Sequence, residues 1–232
     1  MALRALSLDL DDTLWPVWPT IRQAEARLQQ WLQEFAPATH AAHDRAAMQV
    51  LRRAVVQDRP DWAHDLSALR QESIRRALLA AGDDPALAGP AFEAFFEARH
   101  QVTLFDDVLP ALTRLAARYP LLALSNGNAQ VQRVPGLGRF FSAALSARDL
   151  GLAKPAPEVF MAVCARAGCA PHKVLHIGDD AMMDVDGALA AGLQAAWVQR
   201  PELAACTAMA RPTGRPQHVV ADLLALVDRL GC

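Results

Sequence analysis

The sequence predicts an α/β fold: a doubly wound parallel sheet with an all-helical domain inserted after its first strand. Three observations carry that prediction. Six short apolar runs each stop at a turn signal, helical periodicities separate the runs after residue 105, and residues 15–104 hold several helical patterns and no convincing strand. The runs occupy residues 3–8, 121–124, 143–145, 174–177, 195–198 and 218–220. Parallel strands need crossover connections, so short strands alternating with helices imply a sheet covered on both faces.

The helices follow from spacing. Val108, Leu112 and Leu115 mark one, and Val159, Phe160, Val163, Cys164 and Ala167 mark another at a 3.6-residue period. A third is predicted over residues 183–191, ending at Gly192, a residue suited to the left-handed turn that closes a helix. Within the helical block, three sets repeat at helix spacing. They are Ile21, Ala24, Leu28, Trp31 and Phe35; Leu66, Leu69, Ala77 and Leu78; and Phe92, Phe95, Phe96 and Arg99. The predicted division is a core of residues 1–14 and 105–232 and an inserted helical domain of residues 15–104.

Composition narrows the function classes. Hydrophobic residues make up 53% of the 232 and charged ones 21%, which places the chain among folded proteins. A net charge of −2 supplies no field to draw in nucleic acid or an anionic membrane, so neither is an expected partner. No apolar stretch reaches 18 residues, and Asp9 interrupts the run a signal peptide would need, so a cytoplasmic location is expected. Cys164, Cys169, Cys206 and Cys232 form no C-x-x-C pair, which points to free thiols. Among 23 basic residues only Lys154 and Lys173 are lysine, so a lysine here answers a local requirement.

Ligands of open α/β sheets bind outside the carboxyl ends of the strands. Four strand ends carry polar groups. At the first, Asp9 and Asp11 stand at i and i+2 and leave an extended segment on the same side. Two carboxylates held close repel, and a divalent cation between them relieves this, although an acidic turn accounts for the same letters. At the second, Ser125-Asn126-Gly127 offers a hydroxyl and free backbone N–H groups to a phosphoryl oxygen, or simply turns the chain. At the third, Pro155 biases Lys154 toward extended backbone and so presents its side chain from a fixed point; an exposed loop lysine is the alternative. Lys173 sits in a polar turn with no such constraint. At the fourth, Gly178-Asp179-Asp180 ends an apolar strand, and Asp184 follows one turn later at a predicted helix start, where an acid is favoured by the helix dipole. Asp179 is the natural third oxygen donor, and oxygen-only ligation suits Mg²⁺ rather than zinc.

In this order the four elements resemble the haloacid dehalogenase superfamily of phosphohydrolases, with motifs D-x-D-x-T/V, a strand-ending Ser/Thr, a Lys and G-D-x-x-x-x-D. They stand here as Asp9-Leu-Asp11-Asp-Thr13, Ser125, Lys154 and Gly178-Asp179-Asp180-Ala-Met-Met-Asp184. The resemblance spans the chain and implies that the helical block is a C1 cap. Segments Ser125-Asn-Gly-Asn-Ala-Gln130, His64-Asp65 with Arg70 and Ser73-Ile74, and Gln194-Ala-Ala-Trp197 are similar to bacterial flavin mononucleotide phosphatases of the YigB type. Those enzymes are linked with riboflavin biosynthesis as 5-amino-6-(5-phospho-D-ribitylamino)uracil phosphatases.

The resemblance implies an Mg²⁺-dependent phosphomonoester hydrolase acting on a small phosphorylated metabolite through an aspartyl phosphate. Asp9 would be the nucleophile, Asp11 the general acid and then base, and Mg²⁺ would sit on Asp9, the Asp11 carbonyl and Asp179. Ser125, the Asn126 N–H and Lys154 would hold the phosphoryl group, with Asp184 supporting Asp179 or a metal-bound water. Leaving-group selection is expected in the insertion, with Trp15, Trp18, Trp62, His64, Asp65 and Arg70 as candidates; simple burial accounts for the tryptophans equally well. Sugar-phosphate or phosphoglycolate hydrolysis, 2-haloacid dehalogenation and a receiver-like phosphoacceptor module are the rival readings. Dehalogenases proper lack the acid that stands here at Asp11 and need no metal.

Overall fold

Alternation along the strands explains how two helical layers meet one sheet. The structure, a computed structural model, describes residues 2–203 and 211–232, so the expectation for Cys206 lies outside the described residues. Its strands are β1 (Ala5–Leu8), β2 (Leu121–Ser125), β3 (Phe141–Ser146), β4 (Val174–Gly178), β5 (Gln194–Val198) and β6 (His218–Val220). They form a parallel sheet in the order β3-β2-β1-β4-β5-β6. The chain thus winds outward from β1 in one direction and from β4 in the other, the doubly wound arrangement the sequence predicts.

The helices are α1 (Val17–Phe35), α2 (Pro37–Ala42), α3 (Arg45–Asp58), α4 (Leu66–Ala81), α5 (Ala88–Arg99), α6 (Val108–Ala116), α7 (Ala147–Leu150), α8 (Pro157–Ala167), α9 (Gly187–Ala190) and α10 (Leu223–Leu230). On one face of the sheet Leu6, Leu8, Leu121, Ala123, Leu175 and Ile177 pack against the apolar stripes of α6 and α10. On the other, Ala5, Leu122, Leu124 and Val174 pack against Val159, Phe160, Val163 and Cys164 of α8 and Ala188 of α9. Successive strand residues alternate between these layers, as a period of two requires.

The chain divides into two compact units, residues 1–17 with 102–232, and residues 18–101. The second is helical. Ala24, Leu28 and Leu32 of α1 meet Ile74 and Leu78 of α4 and Ala91, Phe95 and Phe96 of α5 in a separate apolar cluster. Asp44 and Asp65 each accept backbone N–H groups at the starts of α3 and α4, and Gly82 closes α4 at φ +83°. Helices α2, α3, α7 and α10 have no counterpart among the predicted elements.

The division falls a few residues inside the predicted insertion. Trp15 belongs to the sheet-bearing unit, where it is fully buried among the residues packed against α6. The predicted helix over residues 183–191 is also different in kind. A π-helical turn spans Ala181–Asp186, and only Gly187–Ala190 is α-helix, followed by Gly192 at φ +80°.

Candidate active site

Everything the four strand ends carry converges on one cleft of about 190 Å³, lined by Asp9, Asp11, Ser125, Asn126, Gly127, Lys154, Asp179, Asp180, Met183 and Asp184. The cleft stands at the carboxyl ends of β1, β2 and β4, where the winding reverses.

Lys154 is its centre of charge. It is 4% exposed, and its ammonium donates to Asp9 Oδ1 at 2.5 Å, Asp184 Oδ1 at 2.6 Å and the Leu124 carbonyl at 3.2 Å. Three acceptors therefore take three protons. Burial works to lower the lysine's pKa, and the two carboxylates overcome it, holding the group well above its usual range. The loop carrying Lys154 is clamped through its backbone: Lys154 N donates to Asn126 Oδ1 at 2.8 Å, and Asn126 Nδ2 donates to the Lys154 carbonyl at 3.0 Å. The Asn126 side chain thus ties the second strand end to the third. Nothing in the letters Ser-Asn-Gly distinguishes this from a turn.

The acids respond to the same burial differently. Asp9 is pushed up to about 7, chiefly because burial penalises its charge, against the pull of Lys154. Asp179 is pushed up to about 9 by burial and by the neighbouring Asp9 and Asp184 carboxylates. For Asp184 burial acts upward as well, but the Lys154 ammonium wins and holds it well below the usual carboxylate range. One carboxylate oxygen from each of Asp9, Asp179 and Asp184 lies within 4.8 Å of the others.

Asp184 stands in the first turn of a helical segment, as the sequence predicts, but that segment opens as a π turn. The wider π turn rotates it inward, where it is 2% exposed; Oδ1 accepts from Lys154, and Oδ2 accepts from Asp180 N at 3.0 Å. The start of the turn is capped by Asp180, which accepts from Met182 N and Met183 N. Gly178 makes the approach possible, since a Cβ there would lie 2.3 Å from the Asp184 carboxylate.

Asp11 faces the cleft from the turn after β1. Trp15 Nε1 donates to its Oδ1 at 2.9 Å, and a Cβ at Gly127 would lie 2.4 Å from its Oδ2. Asp12, at φ +59°, lets the chain reverse there, and its carboxylate accepts from Val17 N at 2.8 Å. Ser125 Oγ accepts from Gly127 N at 2.9 Å, which leaves its own proton for an oxygen in the cleft.

Three further residues secure Asp179. Thr13 donates to its Oδ1 at 2.9 Å, and Trp197 Nε1 donates to its carbonyl at 2.8 Å. The Thr13 carbonyl accepts from Arg200 Nη2 at 2.7 Å, and Arg200 Nη1 pairs with Asp107 at 2.6 Å. His176 joins the buried network as well, with Nε2 3.1 Å from Asp184 Oδ1. Sequence reasoning singled out neither Arg200 nor His176. Only His176 had a signal, as a polar residue in an otherwise apolar run.

The candidates in the inserted unit have local duties. Asp65 caps α4 by accepting from Ser67 N and Ala68 N. Arg70 lies over the Phe95 ring at 3.7 Å and 3.8 Å from Glu25 Oε1, and burial lowers it to about 9. His64 is half-buried, Arg59 covers a face of Trp62 at 3.5 Å, and Trp18 is exposed.

A doubly wound sheet with three clustered carboxylates and a buried lysine at its winding reversal defines an α/β enzyme core. The haloacid dehalogenase-like hydrolase family model matches residues 3–192, and the chain belongs to that family. It is 34% identical over 204 residues to the 5-amino-6-(5-phospho-D-ribitylamino)uracil phosphatase YigB of Escherichia coli (strain K12), covering 86% of this chain and 84% of that one. It is 32% identical over 223 residues to a phosphoserine phosphatase of Thermus thermophilus, covering 85% and 89%. The crystal structure of a 2-haloacid dehalogenase from Pseudomonas syringae pv. Tomato DC3000 superposes with a TM-score of 0.87 at 35% identity, covering 99% and 100%. Among the described residues no helix is long and apolar enough to cross a membrane.

Proposed function

We propose that this chain is an Mg²⁺-dependent phosphomonoesterase in which Asp9 attacks the phosphorus of a small phosphorylated metabolite. The favoured substrates are flavin mononucleotide and 5-amino-6-(5-phospho-D-ribitylamino)uracil. The observation that carries the reading is Asp11. A second carboxylate, held by Trp15 and facing the cleft beside Gly127, is the group needed to protonate a departing alkoxide. Similarity to YigB over most of both chains supports the substrate choice.

The donor set fits Mg²⁺. Its three carboxylates offer only oxygen, and they lie close enough together for a divalent cation to relieve their mutual repulsion. Asp9, Asp179 and the Asp11 carbonyl would hold the ion, which when bound supplies positive charge against the phosphoryl dianion. Lys154 occupies Asp9 Oδ1, so the second oxygen is the one that attacks. As the Asp9–phosphorus bond forms, the ester P–O bond breaks and Asp11 gives its proton to the leaving oxygen. Asp11, now a carboxylate, takes a proton from water, whose oxygen attacks phosphorus and releases Asp9 and inorganic phosphate. Ser125 Oγ–H and the Asn126 N–H hold the transferring oxygens.

Similarity to the P. syringae protein favours a second reading, a 2-haloacid dehalogenase. A screen of flavin mononucleotide, the ribityl-aminouracil phosphate, phosphoserine, sugar phosphates, phosphoglycolate and 2-chloropropionate separates the two. Mg²⁺-dependent phosphate release that Asp9→Asn abolishes is expected. Chloride release in the presence of a chelator would establish the dehalogenase, and a preference for phosphoglycolate or a hexose phosphate would remove the flavin assignment alone.

A further inference from the structure

We infer that His176, oriented by Ser7, is a positioning residue that fixes the Asp184 carboxylate and, through it, the turn bearing Asp179. Its effect on turnover rests on the phosphatase reading; its hydrogen-bond geometry does not.

Two polar residues stand in otherwise apolar strands. Strands β1 and β4 are buried along their whole lengths, and each interrupts its apolar run once before the strand end, at Ser7 and at His176. The two are register partners on adjacent strands. By strand alternation they share the α8 and α9 face with Ala5 and Val174, and they stand two residues before Asp9 and Gly178. Both are at most 1% exposed, and Phe160 of α8 meets the imidazole edge-on with ring centroids 5.2 Å apart. Burying an imidazole and a hydroxyl in such a layer is costly unless both are hydrogen-bonded. Here they form a chain: Ser7 Oγ lies 3.0 Å from His176 Nδ1, and His176 Nε2 lies 3.1 Å from Asp184 Oδ1.

The direction of that chain follows from charge. The Lys154 ammonium at 2.6 Å keeps Asp184 ionised, and an ionised carboxylate only accepts. His176 Nε2 must therefore carry a proton and donate it. Burial favours the neutral ring, whose Nδ1 is then an acceptor, so Ser7 donates to it. Asp184 consequently receives Lys154 and His176 on Oδ1 and Asp180 N on Oδ2. A carboxylate held by Lys154 alone could rotate about its terminal torsion. The imidazole, rigid on β4, fixes the plane in which Oδ2 meets Asp180 N, and that bond sets the backbone next to Asp179. Residues that orient ligand-bearing carboxylates in this way typically change activity or metal affinity by about 10–100-fold when removed.

The experiment has two arms on the full-length protein. Nitrogen-15 NMR of the imidazole is expected to show the Nε2–H tautomer, with that proton protected from exchange. A ring protonated on Nδ1 would overturn the inference whether or not the protein hydrolyses phosphate esters. In the second arm, His176→Leu is expected to lower kcat by about 10–100-fold with little change in KM, since the residue touches no substrate, and to weaken Mg²⁺ binding measured calorimetrically. His176→Gln places an amide N–H at the same number of bonds from Cα as Nε2 and should restore most of the loss. Equal impairment in folded Leu and Gln variants, or an unchanged kcat in His176→Leu, would overturn the role. A wild-type protein with the Nε2–H tautomer but no phosphatase activity would refute the phosphatase reading and leave the positioning geometry standing.

Discussion

Replacing Lys154 by Met removes a buried ammonium and keeps most of its volume. The residue is 4% exposed, and its ammonium contacts two carboxylates and a carbonyl. Deleting one partner of a buried ion pair costs about 3–5 kcal/mol, because the other charge stays behind. For a chain of this size that lowers the melting temperature by roughly 6–20 °C. The sign with pH is also fixed. Asp184 is held below its usual range by Lys154, so this stabilisation is present above pH 3.8 and is lost as pH falls through the depressed folded value. Asp9, already near 7, is raised further without the lysine, so the variant loses additional stability as pH rises beyond 7. Thermal melts of both proteins from pH 5 to 9 should show a gap that widens with pH. A variant that melts within about 2 °C of wild type across the range, or a gap that widens in acid, would refute the reasoning.

Other substitutions probe the same cleft. Lys154→Arg keeps the charge but offers a broad planar group where a compact one meets three acceptors, so turnover should fall severely, while Lys173→Arg in its polar turn should match wild type in the same assay. Mg²⁺ affinity should rise between pH 6 and 9 as the raised acids Asp9 and Asp179 surrender protons at about 7 and about 9. Calorimetry in buffers of different ionisation enthalpy should register proton release on binding, and an affinity independent of pH would count against these two ligands. Gly127→Ala places a methyl 2.4 Å from Asp11 Oδ2 and 3.2 Å from Ser125 Oγ. Shifting Asp11 by about 1 Å should cost about 100-fold in kcat with the melting temperature nearly unchanged; unchanged kcat would remove Asp11 from the proton transfer.

The Asn126 side chain, Arg200 and the π turn share one feature: each acts through partners distant in sequence. Arg200 reaches Thr13 across 187 positions, and Asn126 reaches Lys154 across 28. Helix α3 escaped prediction for a related reason. Its apolar stripe, Met48, Leu51 and Val55, is short, and only Val55 is fully buried. Trp15 reads as part of the insertion until its indole is seen buried in the core and bonded to Asp11.

What the sequence determined by itself is the sheet with its winding, the interrupting helical block and the residue types at four strand ends. Apolar periodicity and turn chemistry are local and survive in a string of letters. The tertiary structure alone decided which oxygen each cation holds. Lys154 shares Asp184 with His176, and Asp184 faces inward from the π turn that opens its helix. Those pairings depend on burial, which raises the cost of every unmatched charge, and burial belongs to the folded chain.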